Sequence, residues 1–488
     1  MALEPLRTLL DLTEVLRPGL TAPSFSNFVV VLAGWIRTAG IHAVTEALVV
    51  TGVAAQRHHE AYHRFFSRGT WDPDELGRLL FGIILQLCGG SAIRVVIDDT
   101  LAPKKGPTVF GLGCHIDAVR STRLHKVFTF GHVWVTVAVL LHVPFSIRTW
   151  ALPILFRLYR NEKECAKRGH KHQKKTELAR ELLGVLQGWV GERRVEVAAD
   201  YAYCCGTVTR GLPATFVFFG AMRPDAVLTA QPEKKTRRGR PSKRGKLLPK
   251  PEKVAKCEHI PWQTCSAFLY GKETRVRYKT ICAQWYRACG ARWLRIVISE
   301  CTSGAIPYRV FFCTDPTLTV VQILEGYGRR WAIEVCFREL KQLLGFADSS
   351  ARKEAAVKRV APFVGVTYTM LVLWFATGAW RSEIARPPVR PWYRHKRGHS
   401  FADVLRAAQR ALATYRVLDP RRDIHDLRES RARAQQASVS SFPRSTRPLS
   451  GQTHSARISP RLETEPLSWM ATCLNWRAPR SRLILPSP

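Results

Sequence analysis

Apolar positions recur at helical spacing in four blocks before residue 90: Ser24–Ile36, His42–Val50, Arg57–Phe66 and Asp74–Leu87. Gly, Thr or Asp-Pro breakers separate them. From about residue 91 the period shortens to that of strands. Arg94–Asp99, Gly131–His142, Pro144–Trp150, Val195–Asp200 and Thr215–Gly220 are apolar, β-branched runs, with a helix over Gln173–Val190 and a short one near Gly206–Leu212 between them. Alternation in Thr274–Cys282 and Arg292–Ile298 predicts further, antiparallel strands. These lie in a segment far longer than a connecting loop needs. A long apolar helix over Lys353–Trp380, a Pro/Arg-rich link at Ala385–Arg397 and an amphipathic helix over Phe401–Tyr415 follow. The pattern divides the chain into a helical region (1–90), the first part of an α/β core (91–225), a β-rich insertion (226–319), the second part of the core (320–383), a helical region (384–418) and a tail (419–488). The tail is rich in Arg, Ser, Pro and Gln, has few aliphatic residues, and is expected to be disordered.

One stretch combines this periodicity with chemistry. In Tyr327-Gly-Arg-Arg330-Trp-Ala-Ile-Glu334 and on to Lys341, a continuous helix puts Arg330, Glu334 and Lys341 at about −60°, −20° and −40° from Tyr327. Four polar side chains thus share a stripe. Ile333, Phe337, Leu340 and Leu344 form an apolar seam near −110° that docks the helix on a core. The simpler reading is an amphipathic helix whose charged face is only solvated, and the spacing argues against it.

Two acids stand upstream at strand ends. Arg94-Val-Val-Ile-Asp98-Asp99-Thr100 leads into a loop carrying Lys104 and Lys105, and Val195-Glu-Val-Ala-Ala-Asp200 ends a second apolar run. A strand-end aspartate taken alone is more often a turn or helix cap than a metal ligand. The ordered set, with Tyr-x2-Arg-x3-Glu-x6-Lys following, resembles the bacterial insertion-sequence transposases that have a Tyr-Arg-Glu-Lys signature and an Asp-Asp-Glu active site. The likeness extends in motif order from about Val95 to Gly345.

That resemblance implies an RNase H-like mixed sheet flanked by helices, interrupted by a β-rich insertion before the glutamate helix and preceded by an N-terminal helical domain that either binds transposon ends or is a helical bundle that only braces the catalytic domain. It also implies Asp99, Asp200 and Glu334 as catalytic and metal-binding residues. Asp99 is preferred because similar transposases carry the first aspartate immediately before a threonine. Adjacent strand residues face opposite ways, so Asp98 remains the alternative. Three carboxylates suit two Mg²⁺ ions about 3.5–4 Å apart, with Mn²⁺ able to substitute, and no protein nucleophile is then needed. Tyr327, Arg330 and Lys341 are implied as DNA contacts near the cleaved end. The activity implied is cleavage at element ends and transfer of the freed 3′-hydroxyl into target DNA by a homodimer. The alternatives are a transposase-derived DNA-binding protein without catalysis and a nuclease without transposition.

Composition points to the same partner. There are 75 Lys and Arg against 38 Asp and Glu, a formal charge of +37, and so strong a cation favours a polyanion, above all double-stranded DNA. Between Gln231 and Lys256 stand eleven Lys or Arg and two Glu. Within that stretch Arg237-Arg238-Gly239-Arg240-Pro241 resembles an AT-hook, whose arginines lie along a minor groove. A basic loop touching phosphates without sequence preference is the simpler reading and the preferred one. Lys104 and Lys105 are further candidate DNA contacts. Trp262, Trp285 and Trp293 are read as core rather than as base-stacking platforms.

The start of the chain does not resemble a secretory signal. The apolar stretch Phe363–Ala376 is too short to span a bilayer and is expected to be a buried helix, so no membrane partner is expected. Thirteen cysteines without paired CxxC spacing predict free thiols in a reducing cytoplasm; the resemblance implies a bacterial, nucleoid-associated setting. Cys257, His259, Cys265, Cys282 and Cys289 lack the spacing of a structural zinc site.

Overall fold

The computed structural model describes residues 3–88, 92–122, 124–232, 242–301, 308–392 and 398–413. Five helices come first: α1 (Leu3–Glu14), α2 (Ala22–Arg37), α3 (Val44–Thr51), α4 (Glu60–Ser67) and α5 (Pro73–Cys88). The last four fall within three residues of the blocks that periodicity marks. Thr21 starts α2 by accepting the Ser24 amide, with proline in the first turn, where a missing N–H costs nothing. Phe28, Trp35, Phe65 and Phe66 of these helices all pack on the ring of Phe363, 5.3–6.4 Å between centroids.

Strands β1 (Ile93–Pro103), β2 (Gly113–Ile116), β3 (Phe128–His142) and β4 (Thr149–Tyr159) lead to helices α6 (Glu162–Lys167) and α7 (Lys175–Val190). Next come β5 (Val195–Ala199), α8 (Gly206–Thr209), β6 (Phe216–Met222), β7 (Leu228–Thr229), β8 (Leu247–Leu248) and α9 (Pro251–Lys256). The series closes with β9 (Gln263–Leu269), β10 (Lys272–Gln284), α10 (Tyr286–Cys289), β11 (Trp293–Cys301), β12 (Arg309–Cys313), α11 (Val320–Gly328), α12 (Trp331–Leu343), α13 (Glu354–Ala376) and α14 (Phe401–Ala413).

The strands form a mixed sheet in the order β2-β3-β1-β5-β6-β12-β11-β10-β7-β8, with β4 also on β3 and β9 also on β10. β1 runs antiparallel to β3 and parallel to β5, β5 is parallel to β6, and β12 is antiparallel to β6. The protein is therefore α/β, a large mixed sheet flanked by helices. Strands β7 to β11 of segment 226–319 extend this sheet outward from β12, the strand of the same segment that pairs with β6.

Both faces of the sheet are buried at its central strands. Along β6, Phe216 and Phe218 belong to one apolar cluster and Val217 and Phe219 to another, which α11 completes with Val320, Ile323 and Leu324. The apolar helix α13 meets the length criterion for a membrane span yet is almost wholly buried inside the protein, packed on β4. Gly365 makes that packing possible, because a Cβ there would collide with the ring of Phe156.

Two expectations are corrected. The strand placed over Pro144–Trp150 begins at Thr149 and runs to Tyr159, while Pro144 and Phe145 form the turn before it. The signature is not one helix. α11 ends at Gly328, and the amides of Arg330, Ala332 and Ile333 each bond the carbonyl three residues back, a tight turn that separates Tyr327 from α12.

By internal contact the described residues divide into two units, one within residues 3–113 and 131–413 and the other within residues 114–130, while the tail 419–488 lies outside the described residues. In the described part of the second, Asp117 organises a turn. Its carboxylate accepts the amides of Val119 and Arg120 at 3.1 Å and the Thr129 hydroxyl at 3.4 Å.

Candidate active site

The parallel pairing of β1 and β5 sets the site. Val95, Val96 and Ile97 are buried beside Val197, Ala198 and Ala199, and the last paired position is Ile97 with Ala199. One residue further along each strand come Asp98 and Asp200. Parallel neighbours in register point to the same face, so these two acids fall side by side.

Asp98 faces the turn between α11 and α12. Arg330 Nη1 lies 2.9 Å from Asp98 Oδ2, and Arg330 Nη2 lies 2.7 Å from Glu334 Oε1, so one guanidinium bridges two carboxylates. The three side chains are 17%, 13% and 32% exposed for Asp98, Arg330 and Glu334. Burial pushes the Asp98 carboxyl up to about 7, opposed by Arg330 and reinforced by the charges of Asp99 and Asp200. Burial also raises Glu334, with Arg330 opposing and Asp200 reinforcing the shift. Asp200 is thus close enough to be felt by both. Burial works against the charge of Arg330, but Asp98, Tyr327 and Glu334 more than offset it, so the guanidinium stays cationic. Asp98 and Glu334 thus share the cation of Arg330, with Asp200 in electrostatic reach of all three. Among the described residues, no three His, Cys, Asp or Glu side chains are grouped tightly enough to hold a metal ion as they stand.

Asp99 points the other way. Lys175 Nζ, from the first turn of α7, donates to its Oδ2 at 2.7 Å, and the Tyr203 hydroxyl donates to Oδ1 at 2.7 Å. Tyr203 is buried, and burial together with the neighbouring acids Asp99, Asp98 and Asp200 holds its hydroxyl protonated and donating. The structure therefore brings Asp98, Asp200, Glu334 and Arg330 together and places Asp99 with Lys175 and Tyr203. Lys175 and Tyr203 carry no motif, and sequence reading passed over both.

The remaining candidates fall in several places. Tyr327, at the end of α11, packs its ring on Phe311 at 4.7 Å, with the Arg330 guanidinium 5.8 Å from the ring centre. Lys341 lies seven residues beyond Glu334, about 10 Å along α12, and is half-buried. The Lys104 ammonium donates to the carbonyls of Ala347 and Ser349, tying the end of β1 to the loop between α12 and α13, while Lys105 is exposed. Arg237, Arg238 and Arg240 lie outside the described residues. Of the tryptophans, Trp285 is buried against Phe312, whereas Trp262 lies beneath the cations of Arg277 and Lys279.

Comparison with known proteins adds a family. Among solved structures, the piggyBac transposase in a synaptic complex with hairpin DNA aligns over 88% of this chain and 80% of its own, at 9% identity and a TM-score of 0.39. That likeness is too slight to bear on function. No relative is found among curated proteins. The sequence profile of the DDE superfamily endonucleases matches residues 16–279, just over half the chain, a span that includes Asp98, Asp99 and Asp200 and stops short of Glu334. On that match, the chain belongs to the DDE superfamily endonucleases.

Proposed function

We propose that this protein is a DNA transposase that cleaves phosphodiester bonds at the ends of an insertion sequence and transfers the freed 3′-hydroxyl into target DNA. The observation that carries the reading is the convergence of Asp98, Asp200 and Glu334 around Arg330 at the ends of two parallel strands. The strand order β4-β3-β1-β5-β6, antiparallel first and parallel after, supports an RNase H-like core.

Members of the family use divalent metal ions, and the donor set fits them. All three groups offer hard carboxylate oxygens, and two already share a cation in Arg330. Asp98, Asp200 and Glu334 would hold Mg²⁺, or Mn²⁺ in its place, two ions in all, with the opposite face of β1 taking Asp99 out of the first position that its threonine neighbour suggests. Ions bound there would activate a water or a 3′-hydroxyl and stabilise the leaving oxygen. The protein's own residues do the rest. Arg330 turns from the carboxylates to the phosphate beside the scissile bond, Tyr327 and Lys341 hold the backbone on either side of it, and Lys105 extends the contact. The net charge of +37 supplies the nonspecific attraction to double-stranded DNA.

The helical region 1–90 is proposed to recognise the element's ends and the insertion 226–319, with Arg237, Arg238 and Arg240 at its entry, to track the duplex. Two copies act as a homodimer, one per end. The setting is the bacterial cytoplasm, at the nucleoid.

The test is incubation of the purified protein with Mg²⁺ and labelled DNA carrying the element's flanking ends, comparing wild type with Glu334→Ala and Asp98→Ala. Cleavage and joining that vanish in both variants while DNA binding persists support the reading. Cleavage without joining reduces it to a nuclease, and binding without cleavage by wild type leaves a DNA-binding protein.

A further inference from the structure

Asp99 stands beside the proposed catalytic acids yet takes part in a different set of contacts. Both of its oxygens have donors, Lys175 Nζ and the Tyr203 hydroxyl, each at 2.7 Å. Lys175 is held from a second side as well, its ammonium 5.6 Å from the centre of the Tyr159 ring. The hydroxyl of Tyr159 lies 3.4 Å from His172 Nε2, and the other ring nitrogen of His172 is 3.7 Å from Glu162. This chain of contacts fixes the loop before α7 against the end of β1. Yet the pair at its centre is open to solvent, with the Lys175 side chain 37% exposed and that of Asp99 22%. A long flexible side chain, held in place and still accessible, is ready to meet a partner at low entropic cost.

The loop that leads to it is basic throughout. Lys167, Arg168, Lys171, Lys174 and Lys175, with His170 and His172, occupy nine residues without an acid. Lys171, Lys174 and His170 are exposed. Of the acids near this loop, Glu164 pairs with Arg168 at 2.7 Å, Glu177 caps α7 by accepting the Lys174 amide, and the exposed Glu162 lies 3.7 Å from His172. The cations that remain project from one short segment that ends at Asp99, the chain neighbour of Asp98.

We infer that the loop Arg168–Lys175 is a track for the DNA backbone leading to the active site, and that Asp99 is a positioning residue that holds Lys175 against a phosphate of that strand. The inference rests on the proposed function for its partner, and its test separates the two. A carboxylate at the surface, clamped by a buried tyrosine, fixes where the ammonium stands. DNA then meets a charge already placed, and each phosphate neutralised contributes about one unit to the salt dependence of binding.

The experiment measures binding of the full-length protein to a labelled duplex without metal, by fluorescence anisotropy, across a salt series. Lys175→Ala is expected to lower the slope of log affinity against log salt by about one, Lys171→Ala with Lys174→Ala by about two, and Lys175→Arg to restore it. Asp99→Asn keeps every lysine and is still expected to fall toward the Lys175→Ala slope. The double variant Asp99→Asn with Lys175→Ala should bind no worse than Lys175→Ala alone, because Asp99 acts through Lys175. A wild-type slope in Asp99→Asn, with Mg²⁺-dependent cleavage abolished, makes Asp99 a catalytic acid and overturns the positioning role. Unchanged slopes in Lys175→Ala and in the Lys171/Lys174 double variant overturn the track. Slopes that move as expected in a protein that does not cleave DNA leave the track standing and remove the transposase reading.

Discussion

Asp98 and Asp99 share a peptide bond, yet the two faces of β1 give them opposite company. On one face a buried guanidinium binds Asp98 and Glu334 together, with Asp200 in electrostatic reach. On the other, a half-exposed ammonium and a buried phenol hold Asp99. The first arrangement gathers carboxylates around one cation, as a metal site must. The second gathers donors around one carboxylate, which leaves that acid with little reason to bind anything more. A strand places neighbouring side chains on opposite faces, and here the two faces support different tasks, chemistry and backbone contact.

The sharpest way to break this comparison is to neutralise each acid in turn. Asp98→Asn and Glu334→Gln should each lower Mg²⁺-dependent cleavage by more than about 100-fold, since even outer partners of metal ligands cost 10–100-fold. Asp99→Asn should lower it about tenfold, by weakening one phosphate contact. Single-turnover cleavage at DNA concentrations below saturation, where the rate reports binding and chemistry together, measures the difference. The reverse ranking, with Asp99→Asn the dead variant, would assign the chemistry to the other face.

Stability offers a second test. Arg330→Met leaves Asp98 and Glu334 facing each other without their shared cation, and should cost about 3 kcal/mol in urea unfolding at neutral pH. Adding Asp98→Asn to that variant should recover part of the loss, because the second change removes the charge that the first exposed. Simple addition of two losses would mean that the bridge in the structure contributes little.

How far the chain could be read in advance depends on how local each signal is. The docking seam of α12 was legible, and Ile333, Phe337, Leu340 and Leu344 are all buried. Its continuity with Tyr327 was not, because Gly326 and Gly328 end α11 and a tight turn follows, which a constant 100° projection cannot show. β4 was misplaced for a related reason. Trp150 to Phe156 are all buried, so alternation is lost, and Pro153 sits at a bulge where the pairing with β3 slips between Val137 and Ala138. That Asp98 and Asp99 face opposite ways followed from strand geometry. Which of them meets Glu334 required the register of β1 on β5 and the docking of α12, both long-range. Lys175 and Tyr203 lie 76 and 104 residues from Asp99, beyond any spacing rule.

A milder change sharpens the second face alone. Tyr203→Phe removes one donor from Asp99 and leaves Lys175 in place. It should cost about 1.5–3 kcal/mol, the worth of a hydrogen bond to a charged group, and lower cleavage less than tenfold. A loss as deep as that of Glu334→Gln would show that the two faces are not independent.

The smallest effect concerns a third residue of the same strand region. Lys104 gives its ammonium to the carbonyls of Ala347 and Ser349. Burial lowers it to about 8 from the usual 10.5, with Asp348 partly opposing the shift. The unfolded chain therefore binds this proton more tightly than the folded one. The cost of keeping Lys104 charged is present in full below about 8 and is relieved as the pH climbs toward 10.5, so its contribution makes stability rise with pH across that window. Lys104→Met cannot titrate, and the difference in unfolding free energy between wild type and variant should move in favour of wild type between those limits. A difference that is flat with pH would mean that Lys104 is as well solvated as Lys105, and that the tether from β1 to the loop after α12 does not hold it out of water.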